Sequence, residues 1–201
     1  MFADVMPGMV YGFAAAVTPG PLSTYLLSQA VTAGWKRTLP ATFSPLLSDG
    51  PVALLVLAVL SRVPSSLVRY LRLFGGAFIL YLAFEAWKNW RGFRAQSEIG
   101  GEGAQNNLLK AAIVNWLNPN VYISWSIIVG PMFLRGWQKS PVIGVGLVLG
   151  FYLTLIATMI GMVLVFASAG ALGPKIRRSL IGVSSMALAA LGIYQLWLGL
   201  T

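Results

Sequence analysis

Long apolar runs separated by short polar stretches set the pattern of this chain, with six runs at about residues 7–33, 40–61, 70–90, 110–134, 141–169 and 179–200. None alternates with the period of two that a barrel strand requires. Each is long enough for a helix crossing a hydrocarbon layer of ~30 Å at about 1.5 Å per residue. The pattern predicts an all-α integral membrane protein with six transmembrane helices. The first run is interrupted near its middle by Thr18-Pro19-Gly20-Pro21. Pro19 and Pro21 have no N–H, and each biases the residue before it away from the helical region. One half-helix is therefore expected to end near Thr18 and another to begin at Pro21, a position that suits proline. The second half would offer the N–H groups of Leu22, Ser23 and Thr24, with the positive end of its dipole, to an anion such as a carboxylate at mid-depth. Irregular backbone is tolerated there only where it is buried in protein or lines a wet cavity. The alternative is a proline kink in a packed helix.

The fourth run is interrupted in the same way at Asn118-Pro119-Asn120, and Pro119 lies 100 residues after Pro19. Asn is a preferred N-cap and Pro is favoured just after it. A helix starting here would aim the N–H groups of Asn120, Val121 and Tyr122 at those of Leu22 to Thr24, making a two-sided cradle for one carboxylate. Asn115, one turn earlier, could complete the cradle or satisfy the opened carbonyls.

The two breaks make the halves of the chain resemble each other. Runs three and six each follow an Arg-bearing stretch, contain Gly75 and Gly76 or Gly182, and end near Trp87 and Trp90 or Tyr194 and Trp197. Three helices per half require the second copy to enter the membrane from the opposite side. That is the inverted-repeat plan of many transporters, whose paired broken helices point to a site near the midplane. The expected organisation is a first three-helix repeat over residues 1–90, a flexible cytoplasmic linker over 91–109 that contains Gly100, Gly101 and Gly103, and a second repeat over 110–201.

Composition agrees: 57% of residues are hydrophobic and 9% charged, with a mean hydropathy of +0.77. The net charge of +9 could suggest nucleic acid, but the basic residues cluster at the ends of apolar runs, where membrane orientation and anionic headgroups explain them better. Lys36, Arg37, Lys88, Arg91, Arg94, Lys110, Lys175, Arg177 and Arg178 fall on one side, against Arg62, Arg69, Arg72, Arg135 and Lys139 on the other. The positive-inside rule then places both termini outside. No basic residue precedes the first run, so no cleaved signal peptide is expected. The chain has no Cys and no His, which removes thiol redox chemistry, disulfides, thiolate metal sites and the usual proton shuttle. No cofactor is expected.

Asp49 is the one acidic residue near the centre of a run. A carboxylate in hydrocarbon is costly unless it faces a cavity, is paired, or is protonated. It could meet a substrate ammonium, carry a coupling proton, or sit protonated against helix carbonyls. Ser44, Pro45, Ser48, Gly50 and Pro51 should loosen the helix around it. Glu85 is read as an interfacial ion pair with Lys88 at i+3. The glycines of run five, Gly144, Gly146 and Gly150, could serve internal packing or a homodimer.

Pro19-Gly20-Pro21, Gly34, Asp49, Leu80-Tyr81-Leu82 and Asn115 with Leu117-Asn118-Pro119, in this order and spacing, resemble the LysE-type amino-acid exporter family, which includes the homoserine and threonine exporters. The resemblance covers nearly the whole chain. It implies a six-helix exporter and not an enzyme, driven by the proton-motive force and moving small amino acids or similar solutes across the bacterial inner membrane. Carried onto this sequence, the substrate would meet Thr18, Pro19, Gly20, Pro21, Leu22, Ser23, Thr24, Asn115, Asn118, Pro119, Asn120 and Ser124, with Asp49 coupling the proton. The family's glycine ladder before the aspartate appears here as Gly34, Thr38, Ser44 and Ser48, with Pro45 added. The stretch from Leu117 to Tyr122 looks closer to lysine and arginine exporters, yet where those tend to have an acidic residue this chain has Ser124. A neutral small substrate is the resulting expectation. A divalent-cation transporter is the alternative, with Asn and Ser oxygens assisting Asp49. A membrane enzyme or redox carrier lacks its usual groups, and a scaffold gives no reason for two matched breaks.

Overall fold

The computed structural model describes residues 2–59, 65–92, 104–171 and 173–200, and among these residues there is no strand. The elements are α1 (Phe2–Val17), α2 (Pro21–Thr32), α3 (Trp35–Thr38), a 3-10 run (Leu39–Phe43), α4 (Ser44–Val59), α5 (Ser65–Arg91), α6 (Ala104–Trp116), α7 (Pro119–Ser124), a π turn (Trp125–Val129), α8 (Gly130–Lys139), α9 (Pro141–Ala171) and α10 (Pro174–Leu200). The π turn is closed by the Gly130 N–H donating to the Trp125 carbonyl. Three stretches, Trp35–Val56, Pro141–Ala169 and Pro174–Leu200, are long and apolar enough to cross a membrane, and Asp4–Val17 is a shorter apolar helix. Leu54, Ile127, Leu153 and Val165 point outward with 66–72% of their surface exposed, so the outer faces of these helices suit lipid rather than water.

The helices pair as α1 on α9, α5 on α10 and α4 on α6. Lipid tails are as apolar as a leucine side chain, so close packing rather than hydrophobic burial must hold such helices together. The α1–α9 contact shows how. A methyl group at Gly8 would overlap the Leu147 carbonyl oxygen, and one at Gly12 the Phe151 carbonyl oxygen. Gly8 and Gly12 are one turn apart on a single face of α1, and Ala16, fully buried, continues it. On the other side of this interface, Gly146 and Gly150 lie against Val5 and Met9, while Gly144 lies against Trp137 of α8. These three glycines therefore serve packing within the chain, one of the two alternatives read from the sequence; nothing in the structure shows the other, a homodimer.

Several basic residues read from the sequence as loop charges lie inside helices and close helix ends. Arg69 and Arg72 of α5 donate to the carbonyls of Gly199 and Leu198 at the C-terminus of α10, at 3.1 and 3.2 Å. Arg177 of α10 donates to those of Val31 and Thr32 at the end of α2, both at 3.1 Å. Cations at helix C-termini satisfy orphan carbonyls and meet the negative end of the dipole. Glu85 does not take Lys88 as its partner. Lys110 of α6 reaches it at 2.6 Å, and Tyr81 donates to its other oxygen at 2.7 Å, so the pair joins two helices instead of stapling one. Within the expected linker, residues 93–103 and Arg94 lie outside the described residues, as does Arg62. Residues 104–109 belong to α6, whose helix starts earlier than the apolar pattern does.

Candidate functional site

Both chain breaks expose backbone at the same place. At the first, α1 ends at Val17, and Thr18 turns its hydroxyl back onto the Ala14 carbonyl at 2.6 Å. Gly20 is extended at the N-cap of α2, and Pro21 fills the first helical position. A glycine cap has no side chain to accept from the second or third helical N–H, and Ser23 bonds the backbone of Gly20 instead. The Gly20 N–H donates to Ser23 Oγ at 2.9 Å, and that hydroxyl donates to the Gly20 carbonyl at 3.0 Å. The Thr24 N–H makes the first intrahelical bond, to Gly20 at 3.0 Å. Thr24 thus drops out of the expected set of open donors, because its N–H is already the fourth after the cap.

At the second break α6 ends at Trp116 and α7 starts at Pro119. Asn118 caps it: its side-chain oxygen accepts from the Asn120 N–H at 3.1 Å. The Val121 N–H donates to the Asn118 carbonyl, also at 3.1 Å. The second half of the expected cradle is therefore closed by its own cap, because an asparagine can supply the acceptor that a glycine cannot. Open N–H groups for an anion remain at Leu22 and Ser23.

Asp49, only 4% exposed, sits between the breaks on α4. Its Oδ1 accepts from Asn115 Nδ2 at 2.7 Å and from Ser48 Oγ at 3.3 Å, and its Oδ2 accepts from the Tyr152 hydroxyl at 3.1 Å. Asn115 Nδ2 also reaches Ser48 Oγ at 2.6 Å, which ties α6 to α4. The partners are side-chain donors rather than helix carbonyls, so the carboxyl group stands here as an acceptor. Shared donors of this kind hold a buried carboxylate in one orientation and offset its desolvation.

Asp49 and Asn115 line one cavity of about 330 Å³, near the lower end of small-molecule pockets, which begin at about 300 Å³; Ser48 and Tyr152 hold the carboxyl group from behind its wall. Among the residues singled out from the sequence, Thr18, Pro19, Gly20, Leu22, Ser23, Asp49, Asn115, Asn118, Asn120 and Ser124 line it. Pro21, Thr24 and Pro119 do not; all three are buried, where they shape the backbone of the breaks. Tyr11 and Phe151 also line the cavity, their rings stacked at 5.8 Å between centroids. The Tyr11 hydroxyl donates to Ser124 Oγ at 2.8 Å, a bond from α1 to α7. Leu155 and Met159 extend the lining along α9, and Trp125 and Val129 add the faces of the π turn.

Tyr11, Tyr152, Trp125 and Phe151 were not singled out from the sequence. The available signal was position. Aromatic residues in membrane helices gather at the interfaces, and Tyr152 lies well inside run five, where a hydroxyl needs a partner.

The sequence matches the family model described as LysE type translocator over residues 13–197. No curated protein and no solved structure gives a significant match.

Proposed function

Because the chain belongs to the LysE type translocator family, a family of membrane transporters and not of enzymes, we propose that it exports a small amino acid or a similar zwitterionic solute across the bacterial inner membrane, coupled to the proton gradient. The observation that carries the proposal is the buried carboxylate of Asp49 at the wall of a cavity formed where two helices break. A zwitterion has one group for each end of this arrangement. Its ammonium suits Asp49, and its carboxylate suits the Leu22 and Ser23 N–H groups at the positive end of α2. The Asp49 carboxylate is the one charged group among the described residues of the lining, so it also serves as the proton carrier.

The helix pairings support an inverted repeat of three helices and three. The first broken helix packs through α1 on α9, the second broken helix packs through α6 on α4, and α5 packs on α10. In this reading residues 1–90 and 110–201 are the two halves, with both termini outside. Rocking of one half against the other would open the cavity to each side in turn. The divalent-cation alternative draws no support from the geometry. A hard cation needs several oxygen ligands, whereas Asn115 presents its amide nitrogen, and Tyr152 its hydroxyl proton, to the carboxylate.

Uptake of labelled amino acids into inverted vesicles, with and without a proton gradient, tests the reading. Gradient-driven uptake is expected for wild type and is lost in Asp49→Asn while the variant remains inserted. Gradient-driven uptake retained in Asp49→Asn overturns the coupling role, and absence of uptake for every amino acid overturns the amino-acid reading.

A further inference from the structure

We propose that the transported solute is a neutral amino acid with a bulky apolar side chain, of the size of leucine, methionine or phenylalanine, and that Phe151 and Leu155 select it. The inference rests on the transport reading above and names the substrate class of the same cavity.

Charge is the first argument. Among the described residues that line the cavity, the only charged side chain is Asp49. One carboxylate can balance one ammonium. A lysine or arginine solute would bring a second cationic group, and an aspartate or glutamate solute a second anionic one, with no counter-charge in the lining. A buried charge without a partner is strongly disfavoured.

The second argument is the arrangement of polar and apolar walls. The polar groups come from the breaks and from Asp49 and Asn115 near them. The opposite character belongs to α9, where Phe151, Leu155 and Met159 follow one another at i, i+4 and i+8 and so share a face. All three are buried and all three line the cavity. Tyr11 stacks on Phe151 and closes this wall from α1. A polar side chain placed against Phe151, Leu155 and Met159 finds no hydrogen-bonding side chain among these three, which leaves the polar group at a disadvantage to an apolar one.

Size is the third. The cavity of about 330 Å³ has room for leucine, methionine or phenylalanine, whereas glycine or alanine leaves most of the apolar wall uncovered.

The test is counterflow exchange in proteoliposomes loaded in turn with leucine, methionine, phenylalanine, alanine, lysine and aspartate. Wild type is expected to exchange leucine and phenylalanine over alanine by about tenfold or more, the scale set by several methylene groups in an apolar pocket, and to discriminate at least as strongly against lysine and aspartate. Phe151→Ala is expected to lower the ratio of phenylalanine to alanine exchange through a raised KM for phenylalanine. If that variant does not fold, Leu155→Ala is measured in the same way, with the ratio of leucine to alanine as readout. Exchange of lysine, aspartate or alanine as efficient as that of leucine overturns this inference and leaves the export reading standing. So does an equal fall for all solutes in both variants. Absence of exchange for every amino acid removes the export reading and this inference with it.

Discussion

Gly12→Ala tests the contact on which the α1 wall of the cavity depends. The added methyl group would overlap the Phe151 carbonyl oxygen, and would stand 3.1 Å from the Phe151 carbonyl carbon and 3.2 Å from the Leu155 nitrogen. Carbon contacts need about 3.5 Å or more, so α1 must withdraw from α9 by about 1 Å. The obstacle is backbone, which cannot rotate away as a side chain would. Overpacking of this kind costs about 1–3 kcal/mol, against a gain of about 0.5–1 kcal/mol from replacing glycine inside a helix. The net expectation is a loss of about 1–2 kcal/mol. Gly161 on the same α9 provides the control, because a methyl group there meets nothing within 4 Å, and Gly161→Ala is expected to be neutral or slightly stabilising. Thermal unfolding of the purified protein in one detergent reads the difference, at about 2–4 °C per kcal/mol for a chain of this size. Unchanged or raised stability in Gly12→Ala, matching Gly161→Ala, would refute the close approach of α1 to α9.

Asn118→Ala removes the acceptor for the Asn120 N–H and is expected to cost about 1 kcal/mol in the same unfolding measurement. Arg177→Met leaves the Val31 and Thr32 carbonyls at the end of α2 without their charged donor, with an expected loss of about 1.5–3 kcal/mol. Double-mutant cycles with Glu85→Gln should give a coupling of under about 1 kcal/mol for Lys110→Ala, since the pair is partly exposed, and none for Lys88→Ala.

Much of the architecture was legible because bilayer and backbone constraints are written in residue types. Apolar runs marked helices, and proline marked both breaks to within a residue or two, since it changes local backbone geometry whatever surrounds it. Asp49 stood out because a carboxyl group in an apolar run is costly unless it is paired, protonated or faces a cavity. The partners of Asp49 were less legible. Asn115 is 66 positions away and Tyr152 is 103, and only packing decides that they meet at one carboxyl group. Glu85 shows the same limit in reverse: Lys88 was near in sequence, but the side chain turned to Lys110 on another helix. Gly8 and Gly12 were not singled out from the sequence, although they stand four positions apart and so share one helix face. What they lie against was not legible, because small residues reveal a close approach without naming the partner. The difference between the two caps was legible in principle: Gly20 has no side chain to close its helix start, and Asn118 does.

The π turn at Trp125–Val129 gives the segment from Pro119 to Lys139 a one-residue surplus over a regular α-helix. Each residue of an α-helix advances the rotation by about 100° and the length by about 1.5 Å. Trp125 and Val129, at the two ends of the wider turn, both line the cavity. The turn also sets the angular phase at which Gly136 meets Gly144, whose α-carbon a methyl group on Gly136 would approach to 3.1 Å. Because the wider turn absorbs the rotation of about 100° that one more residue would add to a regular α-helix, α8 keeps its phase relative to α7 despite the extra residue, and the register of the cavity wall and the seating of α8 on α9 depend on the same turn.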